Sequence, residues 1–319
     1  MSRVIETNIM HNLIKEAAKK LTSAGVDSAN LDARLLLMHV LGASREELML
    51  RPDRELTAAE QQQFEELIAR RVNREPLSHI LGVREFYGRE FEVSGDVLDP
   101  RPDTETLIDS VLKYYQAVVG KQSESVGEPA LSPIPSASQE ASAEMNILDI
   151  GTGSGCIIIT LLKEIEHIQG VALDVSKAAL AVAKRNASTH QLGNRLRFVE
   201  GSLFNLDSNI SGLGGKCFDV IVSNPPYISA SDMATLMPEV HEYEPHLALH
   251  GGKDGLDCYE SLAKSLGQLL KTNGLVFLEI GAGQRDDVAG IFSAHNWQLV
   301  AVHRDLAGHE RCVIFKQEK

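Results

Sequence analysis

The chain has 319 residues, is 43% apolar and carries a formal net charge of −13. That length suits two domains with a sizeable core, and the apolar share is ordinary for a globular protein. The acidic balance offers no overall counterion-release affinity for duplex DNA, which disfavours a general DNA binder and leaves only local basic patches open. The four cysteines, Cys156, Cys217, Cys258 and Cys312, lack Cys-x-x-Cys spacing. They read as free thiols in a reducing compartment, and no metal site is expected. No apolar run reaches the length of a membrane span, and residues 1–10 show neither a signal-peptide nor an Arg-rich transit pattern. A cytoplasmic protein, monomeric by default, is the expectation.

Residues 1–74 read as a small helical bundle. Ile9, Leu13, Ile14, Ala17 and Leu21 recur at helical spacing before Gly25. Ser28 or Asn30 is placed to cap a second helix that stops at Gly42. Ser44 with Glu47, and Thr57 with Glu60, have the spacing of capping boxes. The charged helix that follows Thr57 reads as a solvated face. Residues 75–100 alternate apolar and polar side chains around Gly88 and Gly95, the pattern of a β-hairpin linker. Pro100-Arg101-Pro102-Asp103-Thr104-Glu105 then opens a helix over 104–115. The stretch 120–144 is rich in Ser, Pro, Ala, Gly and Glu and reads as a mobile insertion.

From Asn146 onward strands and helices alternate. Strands are predicted at 147–150, 171–175, 196–199, 218–222, 275–280, 297–302 and 311–315. Helices are predicted at 156–165, 177–188, 257–271 and 286–295. This alternation argues a doubly wound, mostly parallel sheet over 101–319.

Two loops in that domain carry chemistry. The first is Gly151-Thr152-Gly153-Ser154-Gly155, between a strand and a helix, where backbone N–H groups can approach a ligand closely. A dinucleotide fingerprint would need Gly or Ala where Cys156 stands, so the match to a nicotinamide site is incomplete. The next strand ends in Asp174, an acid about 20 positions on and suited to accept two ribose hydroxyls. The second loop is Ser223-Asn224-Pro225-Pro226-Tyr227-Ile228, at the carboxyl edge of the sheet. Asn224 can offer its side-chain oxygen, and Pro225 its carbonyl, to the two hydrogens of one planar NH2 group. Tyr227 supplies a flat face for that plane. A turn after a strand is the plainer alternative.

Together these residues resemble a class I S-adenosylmethionine-dependent methyltransferase, and more closely the peptide-chain release factor glutamine methyltransferases. The resemblance spans nearly the whole chain. It rests on Glu75-Pro76-Leu77, Ile80-Leu81-Gly82, Phe86, the 100–105 run, the Gly151 loop and Asn224–Ile228. It continues through Tyr243-Glu244-Pro245, Gly252, Asp254-Gly255-Leu256, Glu279-Ile280-Gly281 and Glu310-Arg311. It implies a Rossmann-like seven-stranded α/β methyltransferase sheet behind an N-terminal helical substrate-binding domain. The implied cofactor is S-adenosyl-L-methionine, leaving as S-adenosyl-L-homocysteine. Gly151, Thr152, Gly153, Ser154, Gly155, Asp174, Ser202, Leu203 and Asn224 would hold it. Ser202 and Leu203 stand where the family often has an acid and an aromatic near the adenine. Asn224, Pro225, Pro226, Tyr227 and Arg101 would bind substrate, with Asn224, Pro225 and Tyr227 catalytic. Glu105 is a candidate for the cofactor's amino-acid end or, equally, a helix-start carboxylate. The implied partners are bacterial class 1 release factors, on or near the ribosome, and the acceptor is the glutamine of their Gly-Gly-Gln motif. The chief rival is an N6-adenine nucleic-acid methyltransferase, whose flipped base also presents a planar NH2. A non-catalytic binding module and a nicotinamide oxidoreductase are weaker readings.

Overall fold

The computed structural model describes residues 9–119, 145–206, 213 and 217–318. The 120–144 stretch read as an insertion lies outside them. The chain divides into two compact units, one reaching Val83 and including Met237–Tyr243, the other holding Arg84–Leu236 and the chain from Glu244 on. The sequence reading placed the first boundary at residue 74.

The first unit is a bundle of α1 (Ile9–Ser23), α2 (Ala29–Leu41), α3 (Arg45–Leu50), α4 (Ala58–Val72) and α5 (Leu77–Leu81). Both capping boxes form: Ser44 and Thr57 accept from the backbone N–H of Glu47 and Glu60, whose carboxylates reach back to the cap N–H. Gly42 takes the left-handed conformation that ends α2. Leu21, Ala33, Leu36, Leu37, Phe64 and Ile68 form the core, and Ile80 of α5 packs into it. That contact carries the unit past residue 74. One polar feature departs from the solvated face expected of α4: Arg71 is buried. It pairs with Asp32 at 2.7 Å and with Glu239 of the returning segment at 3.1 Å. Arg74 also holds Glu239 at 2.6 Å, and the Tyr243 hydroxyl donates to the Asn73 carbonyl at 2.7 Å.

The second unit opens with a hairpin, β1 (Val83–Phe86) and β2 (Arg89–Glu92). Its turn holds Tyr87 at φ 52° and Gly88 at φ 69°, the two positive φ values of a tight hairpin turn. The expected second arm ran to Leu98, but β2 stops at Glu92, because Ser94 Oγ accepts the Asp96 N–H and turns the chain. After β2 come α6 (Glu105–Val119), β3 (Met145–Ile150), α7 (Cys156–Glu164), β4 (Ile168–Asp174), α8 (Lys177–Thr189), β5 (Leu196–Glu200) and β6 (Phe218–Ser223). Two short helices not anticipated from sequence follow in the chain, α9 (Ala230–Met233) and α10 (Pro238–Tyr243), the second of which lies in the segment returned to the first unit. The chain closes with α11 (Asp257–Ser265), β7 (Leu270–Glu279), α12 (Arg285–Ala294), β8 (Trp297–Arg304) and β9 (Glu310–Gln317). Helix α11 ends well before the expected residue 271. The Leu269 carbonyl accepts from the N–H groups of both Cys217 and Phe218, which draws the chain into the sheet.

The seven strands lie in the order β5-β4-β3-β6-β7-β9-β8, with β9 antiparallel to its neighbours. Strand residues alternate between two cores. Ile147, Val220, Val222 and Phe277 pack with α6 and α7 on one face. Leu148, Ile150, Ile221 and Leu278 pack with α11 and α12 on the other. This period-two pattern within continuous apolar runs is that of a sheet covered on both sides. The chain order reverses between β3 and β6, and ligands of such sheets bind at that switch point. Register aligns the strand ends there: Ile150 opposes Ser223, and Ser223 opposes Leu278.

The same edge carries buried acids. Asp149 and Glu279 are essentially inaccessible, and burial pushes each carboxyl up to about 7. Glu244 is pushed up to about 7 by burial as well, with the Arg101 charge pulling it back.

Two stability predictions follow from this packing. R71M leaves Asp32 buried without its partner, and should lower the stability of the first unit by about 3 kcal/mol in urea unfolding. Glu279 keeps its proton in the folded state from its ordinary 4.5 up to about 7, while the unfolded chain has released it. Its contribution is therefore full below pH 4.5 and is lost as pH rises through about 7. Measured by urea unfolding across pH, E279Q should remove a pH-dependent loss of order 3 kcal/mol. Equal slopes for wild type and E279Q would contradict this assignment.

Candidate active site

The Asn224 turn is built by what braces it. Ser223 is fully buried, and its hydroxyl donates to the Ile150 carbonyl at 2.7 Å, tying β6 to β3 where both end. Pro225 is buried, while Asn224, Pro226 and Tyr227 are half-buried. Behind the turn, the Ile228 N–H donates to the Leu249 carbonyl at 3.0 Å and the Gly251 N–H donates to the Ile228 carbonyl at 2.9 Å. A Cβ at Gly251 would lie 2.6 Å from the Pro226 carbonyl oxygen, so only glycine permits this approach. Gln284 donates from Nε2 to the Tyr227 carbonyl at 3.0 Å and accepts the Gly281 N–H at 2.9 Å. Burial pushes the Tyr227 hydroxyl up to about 12. It stays neutral at physiological pH, which suits a ring that offers a face and not a base.

The glycine loop leaves β3 at the same edge. The N–H groups of Gly151 and Thr152 donate to the Leu173 carbonyl at 2.8 and 3.0 Å. Gly151 and Gly153 have φ of 73° and 54°, and a Cβ on either would meet nothing within 4 Å. Thr152 Oγ1 donates to Asp149 Oδ2 at 2.6 Å, so Asp149 orients the loop from behind. Asp174 accepts the Gly153 N–H through Oδ2 and the Ser176 N–H through Oδ1, each at 2.9 Å. Each oxygen keeps lone-pair capacity for a further donor. The Gly201 N–H donates to the Asp174 carbonyl at 3.0 Å, bringing the next residues, Ser202 and Leu203, to the same edge. Ser202 Oγ accepts the Phe204 N–H, and Leu203 packs on the sheet's core.

The structure thus gathers the glycine loop, Asp174, Ser202, Leu203 and Asn224–Tyr227 at one edge. Arg101 is instead occupied, its guanidinium pairing with Glu244 at 2.6 Å. Glu105 Oε1 accepts the Tyr87 N–H at 2.9 Å, which ties it to the hairpin turn. Among the described residues no group of His, Cys, Asp and Glu side chains is arranged to hold a metal ion.

Two site neighbours carry no functional reading in the sequence: Thr104 and Glu279. Asn224 Nδ2 donates to Thr104 Oγ1 at 3.3 Å. The nearby Thr104 and Asn224 side chains, together with the Arg311 charge, offset part of the burial effect on Glu279. The available signal was an acid at the end of an otherwise apolar run, Leu275–Leu278. Arg311 spends its own hydrogen bonds on Asp305 and the Ile280 carbonyl, with Asp103 at 3.2 Å.

The donor set fits S-adenosylmethionine. Open space faces the two positive-φ glycines, a carboxylate with spare acceptor capacity stands at the next strand end, and apolar Leu203 lies beyond it.

Comparison with known proteins gives the chain's family and fold. Residues 12–82 match the family model of the PrmC N-terminal domain, and residues 141–279 match that of a methyltransferase domain. The release factor glutamine methyltransferase of Agrobacterium fabrum is 39% identical over 94% of this chain and 95% of its own. That of Nitratidesulfovibrio vulgaris is 36% identical over 97% and 95%. A bifunctional methyltransferase of Rickettsia conorii is 38% identical over 95% of this chain, which spans only 57% of that longer protein. Among solved structures, the hMettl16 catalytic domain in complex with MAT2A 3'UTR hairpin 6 aligns with a TM-score of 0.50. It is 15% identical over 79% of this chain and 82% of its own, a likeness of fold. By sequence over nearly its full length, the chain belongs to the release factor glutamine methyltransferase family.

Proposed function

We propose that the protein transfers a methyl group from S-adenosylmethionine to the side-chain amide nitrogen (N5) of the glutamine in the Gly-Gly-Gln motif of bacterial class 1 release factors. The observation that carries this reading is the orientation of Asn224. Its Nδ2 is turned inward to Thr104, which leaves Oδ1 as an acceptor for a substrate NH2. The names of the relatives favour a glutamine amide over an adenine as the bearer of that NH2.

When bound, the cofactor supplies an electrophilic methyl on a sulfonium. An amide nitrogen is a poor nucleophile, because its lone pair is delocalised into the carbonyl. The protein's task is therefore positioning. Asn224 Oδ1 and the Pro225 carbonyl accept the two amide hydrogens and hold the nitrogen in one orientation. They also stabilise the positive charge that develops on it. Tyr227 lays its neutral ring against the amide plane. Asp174 and the backbone of the Gly151–Gly155 loop hold the cofactor, with Thr152 fixed by Asp149. In this reading Ser202 and Leu203 border the adenine, and Arg101 acts through its pairing with Glu244.

N224A removes one acceptor from the reacting amide. With purified release factor, its kcat should fall roughly 10- to 150-fold, the equivalent of about 1.5–3 kcal/mol. Cofactor affinity by titration calorimetry should change far less. A near-normal kcat for N224A would remove Asn224 from the chemistry.

A further inference from the structure

A carboxamide has two chemically opposite ends, and only one suits an incoming NH2. Oδ1 of Asn224 must face the substrate, so Nδ2 must be taken up within the protein. Register places the partners: Ser223 opposes Leu278, so Asn224 and Glu279 stand side by side at the ends of β6 and β7. Asn224 Nδ2 donates to Thr104 Oγ1 at 3.3 Å, and the Thr104 and Asn224 side chains lie near enough to the Glu279 carboxyl to oppose the upward push of burial on it. Thr104 and Glu279 are 3% and 1% exposed. Glu279 Oε2 is buried with no hydrogen-bond partner, so this acid keeps acceptor capacity in reserve. It is no simple mate for Arg311, whose hydrogen bonds and ion pairs go to Asp305, Ile280 and Asp103. Four residues of unbroken apolar strand, Leu275–Leu278, precede it. A carboxyl there is costly for packing alone.

We infer that Thr104 and Glu279 are positioning residues for methyl transfer: they bind the donor end of Asn224, fix its acceptor end toward the substrate amide, and thereby require Asn rather than Asp at position 224. The inference rests on the glutamine-amide reading above. Without the two inner acceptors the carboxamide is free to flip, and a flipped Nδ2 would meet the substrate NH2 donor to donor. An Asp at this position has no hydrogen to give Glu279. Two buried carboxyls would then have to share a proton, with the proton-bearing one turned into a donor.

The test combines kinetics with a substrate-free measurement on the full chain. T104V should lower kcat about tenfold, with the KM for release factor and the cofactor Kd changed less than about twofold; T104S, which keeps the hydroxyl, should restore kcat. N224D should be slower than wild type by about 100-fold or more. Adding E279Q to it should recover about tenfold, because the introduced carboxamide donates to the introduced carboxylate. Referring kcat to the folded fraction, measured by circular dichroism under the assay conditions, separates that recovery from a gain in stability. In 1H–15N spectra without substrate, the Asn224 side-chain NH2 pair, identified by its loss in N224D, should exchange slowly with water and shift in both T104V and E279Q. Wild-type kcat in T104V, no recovery in the double variant, or an Asn224 pair that exchanges like exposed carboxamides overturns the inference. If wild type methylates no release factor while the Asn224 pair is protected and shifts as stated, the substrate reading fails and the positioning of Asn224 stands.

Discussion

The site depends on the register of β6. Ser223 opposes Ile150 on one side and Leu278 on the other, and its buried hydroxyl ties β6 to the end of β3. The residue after each aligned position belongs to the proposed site: Gly151 begins the loop, Asn224 begins the turn, and Glu279 ends β7 beside Asn224. A slip of one residue in β6 would carry Asn224 away from Glu279 and swap Val220 and Ile221 between the two cores, where their shapes no longer fit. The continuous apolar runs of β3, β6 and β7, filled on both faces, make such a slip prohibitive. Core packing therefore sets the chemistry's geometry.

The electrostatics of this edge run against stability. Asp149 and Glu279 are carboxyls in nearly dry surroundings, each held well above its ordinary range by burial. Each is also engaged with a loop side chain, Thr152 in one case and Thr104 in the other. The two arrangements are alike: a buried acid near a strand end with a threonine of a neighbouring loop beside it. Buried acids that cost stability near neutral pH are a compromise expected at functional sites. Glu244 with Arg101 repeats the theme without reaching the turn.

Much of this was legible in the sequence, for identifiable reasons. The capping boxes at Ser44 and Thr57 are local chemistry and form as read. The strand–glycine loop–helix and the Asn-Pro-Pro-Tyr turn are also local, and the alternation of elements brought them to one edge of a sheet. What escaped was long-range. The end of α11 is set by the Leu269 carbonyl capturing two N–H groups far away in sequence, which no helical periodicity reveals. Arg71 looked solvated on a charged helix, yet Asp32 and Glu239 draw it inside. Thr104 and Glu279 sit about 120 and 55 positions from Asn224 and have meaning only once strand pairing is known. Arg101 offered a plausible cation for substrate, and the structure shows it already paired with Glu244.

The measurement that bears most directly on the central claim is transfer of a radiolabelled methyl from S-adenosylmethionine to purified release factor, beside a factor whose Gly-Gly-Gln glutamine is replaced by alanine. The proposed chemistry predicts label on the intact factor alone, recovered as N5-methylglutamine after proteolysis. Label on adenine-containing nucleic acid with none on the factor, or equal labelling of both factors, would contradict it.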